Sequence, residues 1–95
     1  MNLEEDVRLA IEACLPLLPD DGAKEVRHYL DHGEPEMAFE GCMLELISAN
    51  QLPSDIGFAK LCALARGLGL EEESVFDGEF WSKFCRWGEE LSHRA

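Results

Sequence analysis

A chain of 95 residues with 46% apolar content suits one packed domain, long enough to bury roughly 60–65% of its unfolded surface without a metal or disulfide. That apolar share argues against disorder. The formal charge of −12, from 20 acids against 8 Lys and Arg, disfavours phosphate backbones and anionic membrane surfaces and favours basic partners.

The acidic excess is uneven. No Lys or Arg stands between Arg27 and Lys60, a span that holds Asp31, Glu34, Glu36, Glu40, Glu45 and Asp55. Such a stretch is either a solvated surface that aids solubility or one shaped for a basic partner. The opening Met-Asn-Leu-Glu-Glu-Asp carries acids where a secretory signal has a basic stretch. No apolar run approaches the ~18–20 residues of a membrane span. A cytoplasmic location is therefore the expectation.

In chain order, Leu3, Val7, Ala10, Ile11 and Cys14 form one helical stripe. Pro16 and Pro19 end that helix, because proline lacks the N–H and clashes with the preceding turn. Asp20 is the expected cap of a second helix through Val26, Tyr29 and Leu30, stopped by Gly33. Pro35 suits the first turn of a third helix to about Ala49, with Glu34 and Glu36 at its positive end. Apolar residues cover most of that helix, which predicts neighbours on several sides and a central position.

Pro53 and Ser54 are expected to open a fourth helix that closes at Gly67 and Gly69. A short turn with the acidic run Glu71, Glu72, Glu73 leads past Asp77 and Gly78 to a last helix striped by Phe80, Phe84, Trp87 and Leu91. No segment alternates as a half-buried strand does. The expected architecture is all-α, a single domain over residues 1–95 with five or six short helices around one core.

Signals for catalysis are weak. No nucleophile elbow, phosphate-cradling loop or dinucleotide fingerprint occurs, and Gly67-Leu68-Gly69 reads as a helix stop. His28 and His32 have a metal-sharing spacing, but Tyr29 stands where the metalloprotease motif has its glutamate. The four cysteines, Cys14, Cys42, Cys62 and Cys85, form no close pair of the kind that holds zinc. Each sits among apolar residues and is expected to be buried and reduced. Neither a cofactor nor a metal is expected. Within the aromatic cluster Phe76, Phe80, Trp81, Phe84 and Trp87, core packing is the expectation, with Trp81 the ring nearest the surface.

Glu36 and Glu40 lie one helical turn apart, repel by a few tenths of a kcal/mol, and have no basic residue in their helix to offset them. A counter-charge supplied by a partner accounts for that arrangement. The expected contact is therefore Asp31, Glu34, Glu36 and Glu40 on an exposed edge, with Glu71, Glu72, Glu73, Asp77 and Glu79 as a second patch.

The stretch VRHYLDHGEPEMAFEGCMLELI, Val26 to Ile47, resembles the centre of small bacterial immunity proteins. It is similar to the Maf-type immunity family and to the immunity proteins of contact-dependent growth inhibition systems. The matching positions are His32, Gly33, Glu34, Ala38 and Glu40, with Phe39 as the larger apolar residue between the last two. The later stretch LARGLGLEEESVF resembles the same family, where a helix ends in glycine before a short acidic turn. Pro35 departs from the usual residue after the glutamate, and the aromatic C-terminal helix has no counterpart in the pattern. The resemblance implies a cytoplasmic antitoxin that occupies the groove of a toxin domain, commonly a nuclease with a basic surface. Composition and resemblance agree on the sign of the partner. The expected function is binding, not catalysis, as a monomer in a 1:1 complex with a cognate toxin, and with neither nucleic acid nor membrane. The alternative is an acidic adaptor or chaperone-like regulator of another basic protein.

Overall fold

Five α-helices and one 3₁₀ turn, joined by short connections except before the last helix, make up the computed structural model, which describes residues 2–93. Helix α1 spans Leu3–Cys14, and Asn2 caps it by accepting the Glu4 and Glu5 amides at 2.9 and 3.4 Å. A 3₁₀ turn, Leu15–Leu17, carries the chain through Pro16 before it becomes extended at Leu18. Helix α2 spans Asp20–Asp31. Its capping position belongs to Pro19, and Asp20 is the first helical residue and makes no capping bond, contrary to the expectation from sequence. Asp20 and Asp21 instead sit at the positive end of the helix dipole.

Helix α3 is Pro35–Ala49, α4 is Phe58–Gly67 and α5 is Phe80–Ser92. Helix α4 begins later than Pro53-Ser54 predicts. There the Ser54 hydroxyl donates to the Asp55 carboxylate at 3.3 Å, and a turn from Pro53 to Ile56 delays the helix until Gly57. Helices α2, α3 and α4 end alike, with a left-handed residue (Gly33 at φ 70°, Asn50 at 56°, Gly69 at 79°). After each, the next amide reaches back to the last turn: Glu34 to Tyr29 at 3.0 Å, Gln51 to Leu46 at 3.1 Å, Leu70 to Ala65 at 3.0 Å. Glycine takes that backbone at no steric cost at two of the three sites.

Helix α3 packs against α1, α2 and α5, so it is the central helix. Its buried residues include Ala38, Phe39, Cys42, Met43 and Leu46, which meet Val7, Ile11 and Cys14 of α1, Val26 of α2 and Phe80 and Phe84 of α5 in one core. The Cα radius of gyration, 12.1 Å, matches the ~12 Å of a single globule of this length. Two cysteines, Cys14 and Cys42, are fully buried, whereas Cys62 and Cys85 are only half-buried, a correction to the expectation of four buried thiols. All four are free. The hydrogen bond with Cys14, together with burial, holds the Cys42 thiol well above its ordinary value, so it packs as a small apolar group.

The aromatic rings divide differently from the sequence reading. Phe80, Phe84 and Trp87 are core, with Phe58 at 4.7 Å from Phe84. Trp81 is half-buried beneath Arg66, whose guanidinium carbon lies 5.7 Å from the ring centroid. Phe76 is the ring left 45% exposed.

Two helical glycines give opposite expectations. A Cβ on Gly88 would lie 2.4 Å from the Phe58 ring, and such overpacking costs about 1–3 kcal/mol against the ~1 kcal/mol that Gly→Ala gains in a helix. A Cβ on Gly41 would meet Phe76 and Val26 at 3.8 and 3.9 Å, ordinary contacts. Gly88→Ala should therefore lower the Tm, while Gly41→Ala should raise it by about 4–8 °C per kcal/mol gained. Thermal melts of both variants check the pair.

Candidate functional site

The long connection between α4 and α5 carries the acidic run and returns across α3, and one side chain holds it there. Glu40, in the middle of α3, is fully buried. Its Oε1 accepts the Val75 amide at 2.8 Å, and its Oε2 accepts the amides of Phe76 and Asp77 at 2.8 and 2.9 Å. Three successive backbone N–H groups thus converge on one carboxylate, the arrangement of a backbone nest around an anion. Among the described residues no cation pairs with Glu40. The expectation of Glu40 as an exposed partner contact is therefore overturned. At that position α3 meets the connection before α5 instead of solvent, and the carboxylate is satisfied by that connection's amides.

Asp77 continues the same construction. Its Oδ1 accepts the Glu79 amide at 2.9 Å, its carbonyl accepts the Phe80 amide at 2.8 Å, and its Oδ2 meets Lys83 Nζ at 2.6 Å. The residue therefore starts α5 and is neutralised within the chain. Glu71 is likewise paired, its carboxylate 3.6 Å from Arg66. Asp31 and Glu79 are exposed and lie outside the groove that other acids line.

Four predicted residues do converge. Glu34 and Glu36, at the α2–α3 junction, and Glu72 and Glu73, after α4, line one open groove of about 580 Å³. Met37, Leu68 and Val75 supply its apolar surface, and no Lys, Arg or His lines it. The two acidic patches, 36 residues or more apart in parts of the chain, are one site because Glu40 brings the second against the first.

Sequence reasoning missed the apolar half of this face. Val75 and Phe76 are 47% and 45% exposed on adjacent positions. Val75 borders the groove, and Phe76 borders a second, smaller groove with Tyr29, Glu25 and Glu45, its ring 5.5 Å from that of Tyr29. The missed signal was the length of the 68–79 connection, too long for a bare turn.

For metal chemistry, the His28 and His32 rings lie 4.2 Å apart, but His32 Nδ1 is spent on the His28 carbonyl at 2.7 Å. Among the described residues no group of three metal-ligating side chains comes together. No helix among them is long and apolar enough to cross a membrane. Comparison with protein-family models, curated proteins and solved structures yields no match to the chain.

Two outcomes follow from this geometry. Glu40→Ala strands three amides that received charge-assisted bonds, so it should destabilise the fold by about 2–4 kcal/mol in urea titrations. Glu40→Lys should prevent folding, since a buried unpaired cation replaces the acceptor. For Asp77, the Lys83 ammonium and the Glu79 amide hold the carboxyl below its ordinary value. A depressed carboxyl contributes stability that is present above the ordinary aspartate value and is lost as pH falls through the lower folded value. Asp77→Asn should therefore lower the urea midpoint most at neutral pH, with the gap to the parent protein closing on acidification below the ordinary aspartate range.

Proposed function

We propose that the chain is a binding protein, and specifically an immunity protein that neutralises a cognate bacterial toxin domain by a 1:1 contact through its acidic groove. The single observation that carries the basic-partner part of this reading is the convergence of Glu34, Glu36, Glu72 and Glu73 on one groove with no cation in its lining. Like charges gathered this closely repel, and each costs a little stability in the free protein. A basic surface reverses the sign of that term when it docks.

The toxin part rests on the immunity-protein resemblance around His32, Gly33 and Glu34, two of which lie at the groove. A nuclease is the favoured toxin class, because a surface that binds phosphates is basic and a row of carboxylates competes for it. Glu40 supports the binding from beneath the surface instead of contacting the partner. Electrostatic steering makes association fast and salt-sensitive.

The experiment is a titration of any toxin domain that a neighbouring gene encodes, with nuclease activity and growth arrest as readouts. Inhibition saturating at one equivalent is expected. Carboxylates meeting buried cations across an interface are worth about 2–5 kcal/mol each on removal, so Glu36→Lys with Glu73→Lys should weaken the complex by orders of magnitude. Association rates should fall steeply as the Debye length shrinks from ~10 Å at 0.1 M salt to ~3 Å at 1 M. A basic partner bound tightly at the groove without any toxic activity of its own would instead identify an adaptor. Unaltered affinity in the folded double variant would remove the groove from the account.

A further inference from the structure

The exposed pair Val75–Phe76 is the feature that charge alone does not explain. Large apolar side chains in a surface loop usually turn inward, and this loop leaves both about half exposed. Glu40 sets the loop's conformation through the amides of the two residues themselves, at 2.8 Å each, so the N–H groups face α3 while both side chains stay about half exposed, the Phe76 ring beside that of Tyr29. The pair forms a ridge with an acidic groove on either side. Glu34, Glu36, Glu72 and Glu73 lie on the Val75 side, and Glu25 and Glu45 on the Phe76 side. No Lys, Arg or His lines either groove.

Charge complementarity then specifies the occupant. A surface that is only basic would leave the ridge wet, and one that is only apolar would bury carboxylates without partners. A Lys or Arg satisfies both, since its aliphatic stem lies along apolar surface while its head reaches a carboxylate. We infer that Val75 and Phe76 are the apolar anchor of the interface, and that the partner is a basic protein whose contacting segment alternates Lys or Arg with apolar side chains, the apolar ones on the ridge and the cations in the two grooves. The inference rests on the basic-partner reading above and adds an apolar centre to it. Its rigid hold on the ridge lowers the ordering cost of binding.

A decapeptide of alternating Arg and Leu and its Arg and Ser counterpart, equal in charge, are suitable probes, with affinity from calorimetry and location from amide shifts. The Arg–Leu peptide should bind about five-fold tighter or more, the scale of one half-exposed apolar side chain leaving water. Its shifts should centre on Val75 and Phe76. Phe76→Ser should abolish that margin while leaving the Arg–Ser affinity within about two-fold, because the Glu40 bonds go to backbone atoms and survive the change. Val75→Ser provides a second variant should Phe76→Ser lose native circular dichroism. Equal binding of the two peptides, or a margin that persists in both variants, overturns the anchor and leaves the acidic groove standing. Failure of both peptides to bind overturns anchor and groove together. Concentration-dependent dimerisation that Phe76→Ser abolishes would make a second copy the occupant and also overturn the inference.

Discussion

A single buried carboxylate with three backbone amides on it organises the acidic face of this protein. Glu40 sits where an apolar residue would ordinarily complete α3, and its desolvation is offset by the Val75, Phe76 and Asp77 N–H groups. Bonds to a charged acceptor are each worth about 1.5–3 kcal/mol net, enough to set the path of a loop. The consequence runs in two directions. Toward the core, Asp77 is fixed and starts α5 through its bonds to Glu79 and Phe80, which delivers the buried Phe80 and Phe84. Toward solvent, the same fixed backbone places Glu72 and Glu73 across from Glu34 and Glu36.

This arrangement separates two jobs that carboxylates do in one small chain. Some acids build structure: Glu40 holds the loop, Asp77 starts a helix against Lys83, and Glu71 pairs with Arg66. Others, Glu34, Glu36, Glu72 and Glu73, make no ion pair among the described residues and face the groove. Each unpaired acid of the second group carries more field outward than a paired one, because an adjacent cation cancels most of a carboxylate's field within a few ångströms. The chain's charge of −12 therefore overstates its uniform repulsion and understates its local focus. In the proposed interface the apolar ridge between the grooves would add what charge cannot, a dry centre at which electrostatics strengthen once water leaves.

Much of the fold was legible from residue spacing. The α1 stripe, the Pro35 start and Ala49 end of α3, the Gly33 and Gly67 stops and the Phe80, Phe84, Trp87 face of α5 all follow from periodicity and punctuation. The α4 start was not, because Ser54 bonds to Asp55 and a turn intervenes. At the site, Glu34 and Glu36 were singled out by their missing counter-charges and Glu72 and Glu73 by the acidic run they belong to, while their convergence on one groove was not legible. Glu40 was misassigned by the counter-charge rule, although the apolar residues on most of α3's surface left little solvent face for an acid in mid-helix. That its acceptors would meet amides 35 to 37 positions away was not legible, since such a contact leaves no periodic trace. Phe76 was misread as core because composition reports an aromatic side chain without its direction.

Amide hydrogen exchange at Val75, Phe76 and Asp77 tests most directly whether Glu40 is what orders the acidic face. In the parent protein these three amides should be protected together, and Glu40→Gln, which replaces one acceptor oxygen with a donor, should speed their exchange by at least about ten-fold while α1 and α2 amides change far less. Exchange at free-peptide rates in the parent protein, or rates indifferent to Glu40→Gln, would contradict the account.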